Sequence, residues 1–88
     1  MPKIILSDRF IALYKNLPEA IQKKIKRQIQ LLAENPRHPS LQTKPIQGTN
    51  GIYEARVDIN YRMTYERIAD DTLLLRVVAK HDDALKKP

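Results

Sequence analysis

Two arginines, a glutamate and a histidine hold most of the chemistry open to this chain. Arg56 and Arg62 lie on either side of a short turn at Asp58–Asn60. If the flanking segments are adjacent antiparallel strands, both guanidinium groups point the same way and can reach one phosphate. Glu54 shares their face and can accept a proton. His81, just past the last strand, is the one nearby group whose unperturbed pKa lies near neutrality. Such a set is sufficient to cleave RNA without a metal. The 2′-hydroxyl must lose a proton, the pentacoordinate phosphate needs positive donors, and the 5′-oxygen must gain a proton. A plainer reading fits the same residues. Glu54, Arg56, Arg62 and Glu66 can form cross-strand ion pairs on a solvated face, each worth under ~1 kcal/mol, and His81 can cap backbone carbonyls.

Other catalytic patterns are absent. There is no Gly-rich phosphate loop and no serine elbow. His38 and His81 are the only histidines and there is no cysteine, so a closed zinc site, which normally takes four ligands, is not expected. Disulfides and thiol chemistry are excluded, and no cofactor is implied.

The elements that must position these residues follow from periodicity. Ile52–Asp58 alternates Tyr53, Ala55 and Val57 with Glu54, Arg56 and Asp58. Tyr61, Met63 and Tyr65 alternate with Arg62, Thr64 and Glu66. After a turn at Ala69–Asp71, Leu73, Leu75, Val77 and Ala79 alternate with Leu74, Arg76 and Val78. Period-two patterning predicts strands with one packed face and one polar face, and the short links predict an antiparallel meander. The apolar last strand should be central, with the short run Lys3–Leu6 beside it. Ser7-Asp8 reads as a helix N-cap, and Phe10, Tyr14 and Leu17 then fall on one helical face. Pro18 should end that helix and open a second one. There Ile21, Ile25, Ile29 and Leu32 form the buried stripe, and Lys23, Lys24, Lys26 and Arg27 the opposite arc. Pro36–Asn50, with three prolines and Gly48, reads as a surface loop containing Arg37, His38 and Lys44. Asp82–Pro88 reads as a polar tail prone to fraying. The expected fold is α+β: a small twisted antiparallel sheet of about four strands, backed on one face by an N-terminal helical hairpin, in one domain spanning residues 1–88.

Charge adds a partner class. The chain of 88 residues has a net charge of +6. Residues 1–44 contain nine Lys/Arg and three Asp/Glu, whereas residues 45–88 contain seven of each. The whole basic excess therefore lies in the half that holds the helices, which suits a polyanion such as nucleic acid. A solvated helix face accounts for the basic arc equally well. No apolar run is long enough for a signal-peptide core or a membrane span, so a soluble cytoplasmic protein without a membrane partner is expected.

The layout of strand, helical hairpin ending in "ENPRHPSLQTKPIQG", then "GIYEARVDINYRMTYE" and "LLLRVVAKHDDAL", resembles the RelE/ParE toxin superfamily of toxin–antitoxin modules. The resemblance implies the fold described above, a cognate antitoxin that wraps the toxin in a hetero-oligomer, and, in one branch, ribosome-dependent cleavage of mRNA. It makes Arg62, in the Tyr-Arg pair, the residue that contacts the scissile phosphate. Glu54 and Arg56 fall where some members have two lysines. Lys44 lies where others place a glutamate or histidine, and His81 where others use arginine or histidine. In this reading Glu54 is the base and His81 the acid, with Arg56, Lys44 and Lys80 adding positive potential. Lys23, Lys24, Lys26 and Arg27 resemble helices that grip ribosomal RNA. The chain departs from many active members in having Glu54 in place of a lysine and no tyrosine in its tail. The ParE branch keeps the fold and poisons DNA gyrase instead, which leaves that target, or plain RNA binding, as the alternative.

Overall fold

The computed structural model describes residues 1–88. Strand β1 (Lys3–Leu6) leads into helix α1 (Asp8–Lys15) and helix α2 (Glu19–Glu34). A single 3₁₀ turn (Pro39–Leu41) precedes strands β2 (Lys44–Pro45), β3 (Ile52–Arg56), β4 (Tyr61–Ala69) and β5 (Thr72–Lys80), and helix α3 (His81–Lys86) follows. The five strands form one sheet in the order β1-β5-β4-β3-β2.

Local chemistry sets each boundary. The Ser7 hydroxyl accepts a bond from the Phe10 amide and donates to the Arg76 carbonyl, both at 3.0 Å. One side chain thus caps α1 and ties its start to β5. Pro18, with no amide hydrogen to lose, sits at the N-cap of α2, and its carbonyl takes the amides of Ile21 and Gln22. The hairpin of α1 and α2 covers one face of the sheet. There Phe10, Ile25 and Leu32 close over Ala55, Met63, Tyr65, Leu73 and Leu75.

Three features of the sheet differ from the sequence reading. β1 runs parallel to β5, so the sheet is mixed and has five strands. The fifth is β2, two residues inside the proline-rich segment, paired antiparallel with β3. Its Pro45 is tolerated because β2 is an edge strand, and Gly48 and Gly51 supply the positive φ angles, +81° and +83°, of the turn into β3. The third is a β-bulge. Thr64 pairs with Val77 but Tyr65 pairs with Leu75, which leaves Arg76 as an extra residue on β5. The bulge reverses the alternation that follows it. Val78, not Val77, joins the core, and Val77 is buried on the opposite face.

The segment read as a frayable tail forms α3, which packs on β4 and β5 with Ala84 fully buried. Beyond it, the Pro88 main-chain oxygen accepts from Thr64 Oγ1 at 3.1 Å and Arg76 Nε at 2.9 Å. Arg76 Nη1 also holds Glu66. No helix is long and apolar enough to cross a membrane.

Candidate functional site

The second face of the sheet brings four of the singled-out residues together. Register places Lys44 opposite Glu54 and Arg56 directly opposite Arg62. Glu54 lies at the centre: Lys44 Nζ is 3.8 Å and Arg62 Nε 3.9 Å from its Oε1. Glu54 is only 5 % exposed. A carboxylate so covered loses hydration, and cations flank it on both sides in compensation. Here one is mobile and one is fixed. The Lys44 side chain is 66 % exposed and its contact is loose, so it can lift away. The Arg62 side chain is 16 % exposed. Its Nη1 donates to the carbonyls of Asp58 at 2.7 Å and Tyr61 at 3.0 Å, which locks the guanidinium against the β3–β4 turn. Arg56 forms no ion pair with any carboxylate. Two arginines side by side with one carboxylate leave an excess of positive charge, the condition for holding a phosphate.

The turn itself is built on Asp58. Its Oδ1 accepts from the amides of Asn60 at 2.8 Å and Tyr61 at 2.9 Å, and Lys24 Nζ of α2 is 3.2 Å from Oδ2. Burial pushes the Asp58 carboxyl up, but these three hydrogen bonds and the Lys24 charge outweigh it and hold it below the usual carboxylate value.

His81 is placed apart from the cluster. Its amide donates to the Asn60 carbonyl at 2.8 Å, and its ring, 45 % exposed, lies 3.5 Å from Asp82. It borders an open cavity of about 710 Å³ together with Asn60, Tyr61 and Lys80. No hydrogen bond or ion pair joins His81 to Glu54 or Arg62. The link is the 58–61 turn, which receives both the Arg62 side chain and the His81 amide.

The basic arc of α2 is less uniform than its spacing suggests. Lys23 pairs with Glu19 one turn earlier, Lys24 with Asp58, and Lys26 borders an apolar groove beside Phe10. Arg27 faces a cleft of about 490 Å³ that it shares with Lys24 and His38. Buried Gln28 borders this cleft and donates to the carbonyls of Arg56 at 2.9 Å and Ser40 at 3.4 Å. Gln28 was missed from sequence, although its place one turn after Ile25 on the buried stripe was the available signal. Thr64, fully buried and bonded to Pro88, was missed because it read as one more polar-face position.

Comparison with known proteins agrees with this architecture. Residues 4–84 match the family described as the ParE toxin of type II toxin–antitoxin systems, parDE. No curated protein sequence matches the chain. Among solved structures, YafQ from Escherichia coli is 20 % identical with a TM-score of 0.76, the match covering 94 % of this chain and 97 % of that one. RelE in the archaeal RelE–RelB complex from Pyrococcus horikoshii is 17 % identical with a TM-score of 0.73, covering 90 % and 93 %. The YoeB/ParE toxin from Agrobacterium tumefaciens is 17 % identical with a TM-score of 0.75, covering 90 % and 98 %. At such identities the structural likeness shows the fold, and the family match over nearly the whole chain shows the membership. The chain belongs to the ParE toxin family, and it is a toxin of a type II toxin–antitoxin system with the fold shared by RelE, YafQ and YoeB.

Proposed function

We propose that this toxin is a ribosome-dependent mRNA endoribonuclease that inhibits translation. The observation that carries the proposal is the convergence of Lys44 and Arg62 on buried Glu54, with Arg56 directly opposite Arg62. In this mechanism Lys44 swings off Glu54 toward the phosphate, and the freed carboxylate takes the proton of the 2′-hydroxyl. The 2′-oxygen attacks phosphorus, and Arg62 and Arg56 stabilise the charge that develops on the phosphoryl oxygens. The bond to the 5′-oxygen breaks, and His81 returns a proton to it. Lys80, beside His81, raises the potential along the leaving strand. The arc of Lys23, Lys24, Lys26 and Arg27 holds ribosomal RNA, with Arg27 at its cleft as the principal contact. A cognate antitoxin neutralises the toxin in a hetero-oligomer, as the complexes RelE–RelB and DinJ–YafQ illustrate for structures of the same fold.

Expression in cells with mapping of mRNA ends tests this. Wild-type protein should arrest growth and produce discrete ends within translated codons, and Arg62→Ala and His81→Ala should each abolish both. Wild-type toxicity and cut sites in both variants would remove the assignment.

A second reading, inhibition of DNA gyrase without nuclease activity, draws on two observations: the matching family is described as ParE, and His81 stands off the Glu54 cluster. It predicts intact mRNA, blocked supercoiling in vitro, and toxicity that is indifferent to His81→Ala.

A further inference from the structure

The helix-backed face of the sheet opens, beyond the C-terminal end of α2, into a cavity of about 420 Å³ between the 36–45 segment and strands β3 and β4. Tyr53 stacks on Tyr65 at its wall, with ring centroids 5.6 Å apart and planes inclined by 17°. Tyr65 is buried, whereas Tyr53 is 37 % exposed, so one ring braces another that reaches solvent. Arg67, two residues after Tyr65 on the same strand and therefore on the same face, borders the cavity, as does Arg37. Neither arginine has a carboxylate partner. The Arg67 guanidinium donates to the Asp70 main-chain oxygen at 3.3 Å, and Arg37 forms no ion pair. No acidic residue lines the cavity. An exposed, pre-braced aromatic ring flanked by two unneutralised guanidinium groups has the make-up of a platform for an unpaired base and its phosphates. Because Tyr53 and Glu54 alternate, this platform lies on the face opposite the Glu54 cluster.

We propose that this cavity is a binding subsite for one nucleotide of a single-stranded nucleic acid, the base stacking against Tyr53 and the flanking phosphates held by Arg37 and Arg67. Lys44, which pairs with Glu54, borders this cavity as well, but the subsite rests on Tyr53, Arg37 and Arg67 and does not depend on the cleavage proposed above. A base inside a duplex cannot present its ring to Tyr53, so duplexes are excluded.

Fluorescence anisotropy on the full chain tests the subsite with three probes: a short labelled oligouridylate, its deoxy equivalent, and an abasic sugar–phosphate oligomer of equal length. Tyr53→Leu, which keeps apolar bulk and removes the ring, should raise the Kd for the base-bearing probes about 5- to 100-fold and leave the abasic Kd unchanged. Tyr53→Phe should bind as wild type. Arg67→Ala should weaken all three probes and flatten their salt dependence by about one counterion. Equal affinity for the two base-bearing probes assigns base and phosphate as the recognised groups, and tighter binding of the ribo-probe adds the 2′-hydroxyl. Photocrosslinking with bromouridine should label the peptide that contains Tyr53. Wild-type binding by Tyr53→Leu, or an equal loss for the abasic probe, would overturn the proposal.

Discussion

The two faces of the sheet are built from the same strands and held by different forces. On the helix side, Phe10, Ile25, Leu32, Met63 and Leu75 are closed to solvent and no charged side chain is buried among them. Burial of each large apolar side chain contributes roughly 1.5–3 kcal/mol, with no directional requirement. On the opposite side the interior is small: Val77, Thr64 and Ala84 under α3. Around it the contacts are polar: ion pairs of Lys44 and Arg62 with Glu54, and hydrogen bonds from Arg76 to Glu66 and from Thr64 and Arg76 to Pro88. The lesson is a division of labour. The helix face supplies the stability that lets the other face concentrate charge, and altering the charged face should cost less than altering the core.

Substitutions can break or sharpen that contrast. The largest effect should come from the core. Phe10→Ala should cost about 3–5 kcal/mol in denaturant unfolding and take the whole molecule with it. A cost below ~1.5 kcal/mol would mean the helix hairpin is not the principal support. Next comes Glu54→Gln, which removes the carboxylate and keeps its shape. Cleavage should fall by about 10²- to 10⁴-fold if Glu54 is the base, while stability should fall by about 1–3 kcal/mol, because the amide leaves the largely buried Arg62 without its carboxylate. A stability loss as large as that of Phe10→Ala would make Glu54 a structural ion pair first.

A smaller effect is expected at the α3 contact. Thr64→Val deletes the hydroxyl that donates to Pro88 and should cost about 1 kcal/mol. Hydrogen exchange should rise across residues 81–88 and stay unchanged in α2, since only the second face is affected. Uniform acceleration would show that the faces are not energetically separate. The smallest effect concerns pH. Asp58 has a lowered pKa in the folded protein, so the stability it contributes is complete above its unfolded value of about 3.9 and fades as pH falls through the folded value. Urea midpoints should therefore drop more steeply below about pH 4 in wild type than in Asp58→Asn. Parallel curves would remove Asp58 as a contributor.

Much of this was legible in the residues. Alternation in Ile52–Arg56 and Tyr61–Glu66 marks the strands and puts Glu54, Arg56 and Arg62 on one face. Ser7 and Pro18 mark the helix starts. What was hidden depended on tertiary context. β2 is two residues long and includes a proline, so no periodicity could reveal it. Without it, the pairing of Lys44 with Glu54 had no basis. The bulge at Arg76 exchanges the faces of Val77 and Val78, a one-residue irregularity that propensity cannot see. α3 has six residues of largely polar composition and draws its stability from packing by Ala84, not from its own sequence. The Tyr53–Tyr65 stack was visible only as two members of an apolar face, because the loop that leaves Tyr53 open comes from residues 36–45.

Purified ribosomes programmed with a defined mRNA test the central claim, that the arginine-flanked Glu54 cluster cuts RNA, most directly. The wild-type protein should produce discrete fragments ending in 2′,3′-cyclic phosphate, the product of attack by the 2′-oxygen. Arg62→Ala should slow their formation by about 10²- to 10³-fold while still binding the ribosome. Intact mRNA with the wild-type protein, or unchanged cutting by Arg62→Ala, would contradict the account.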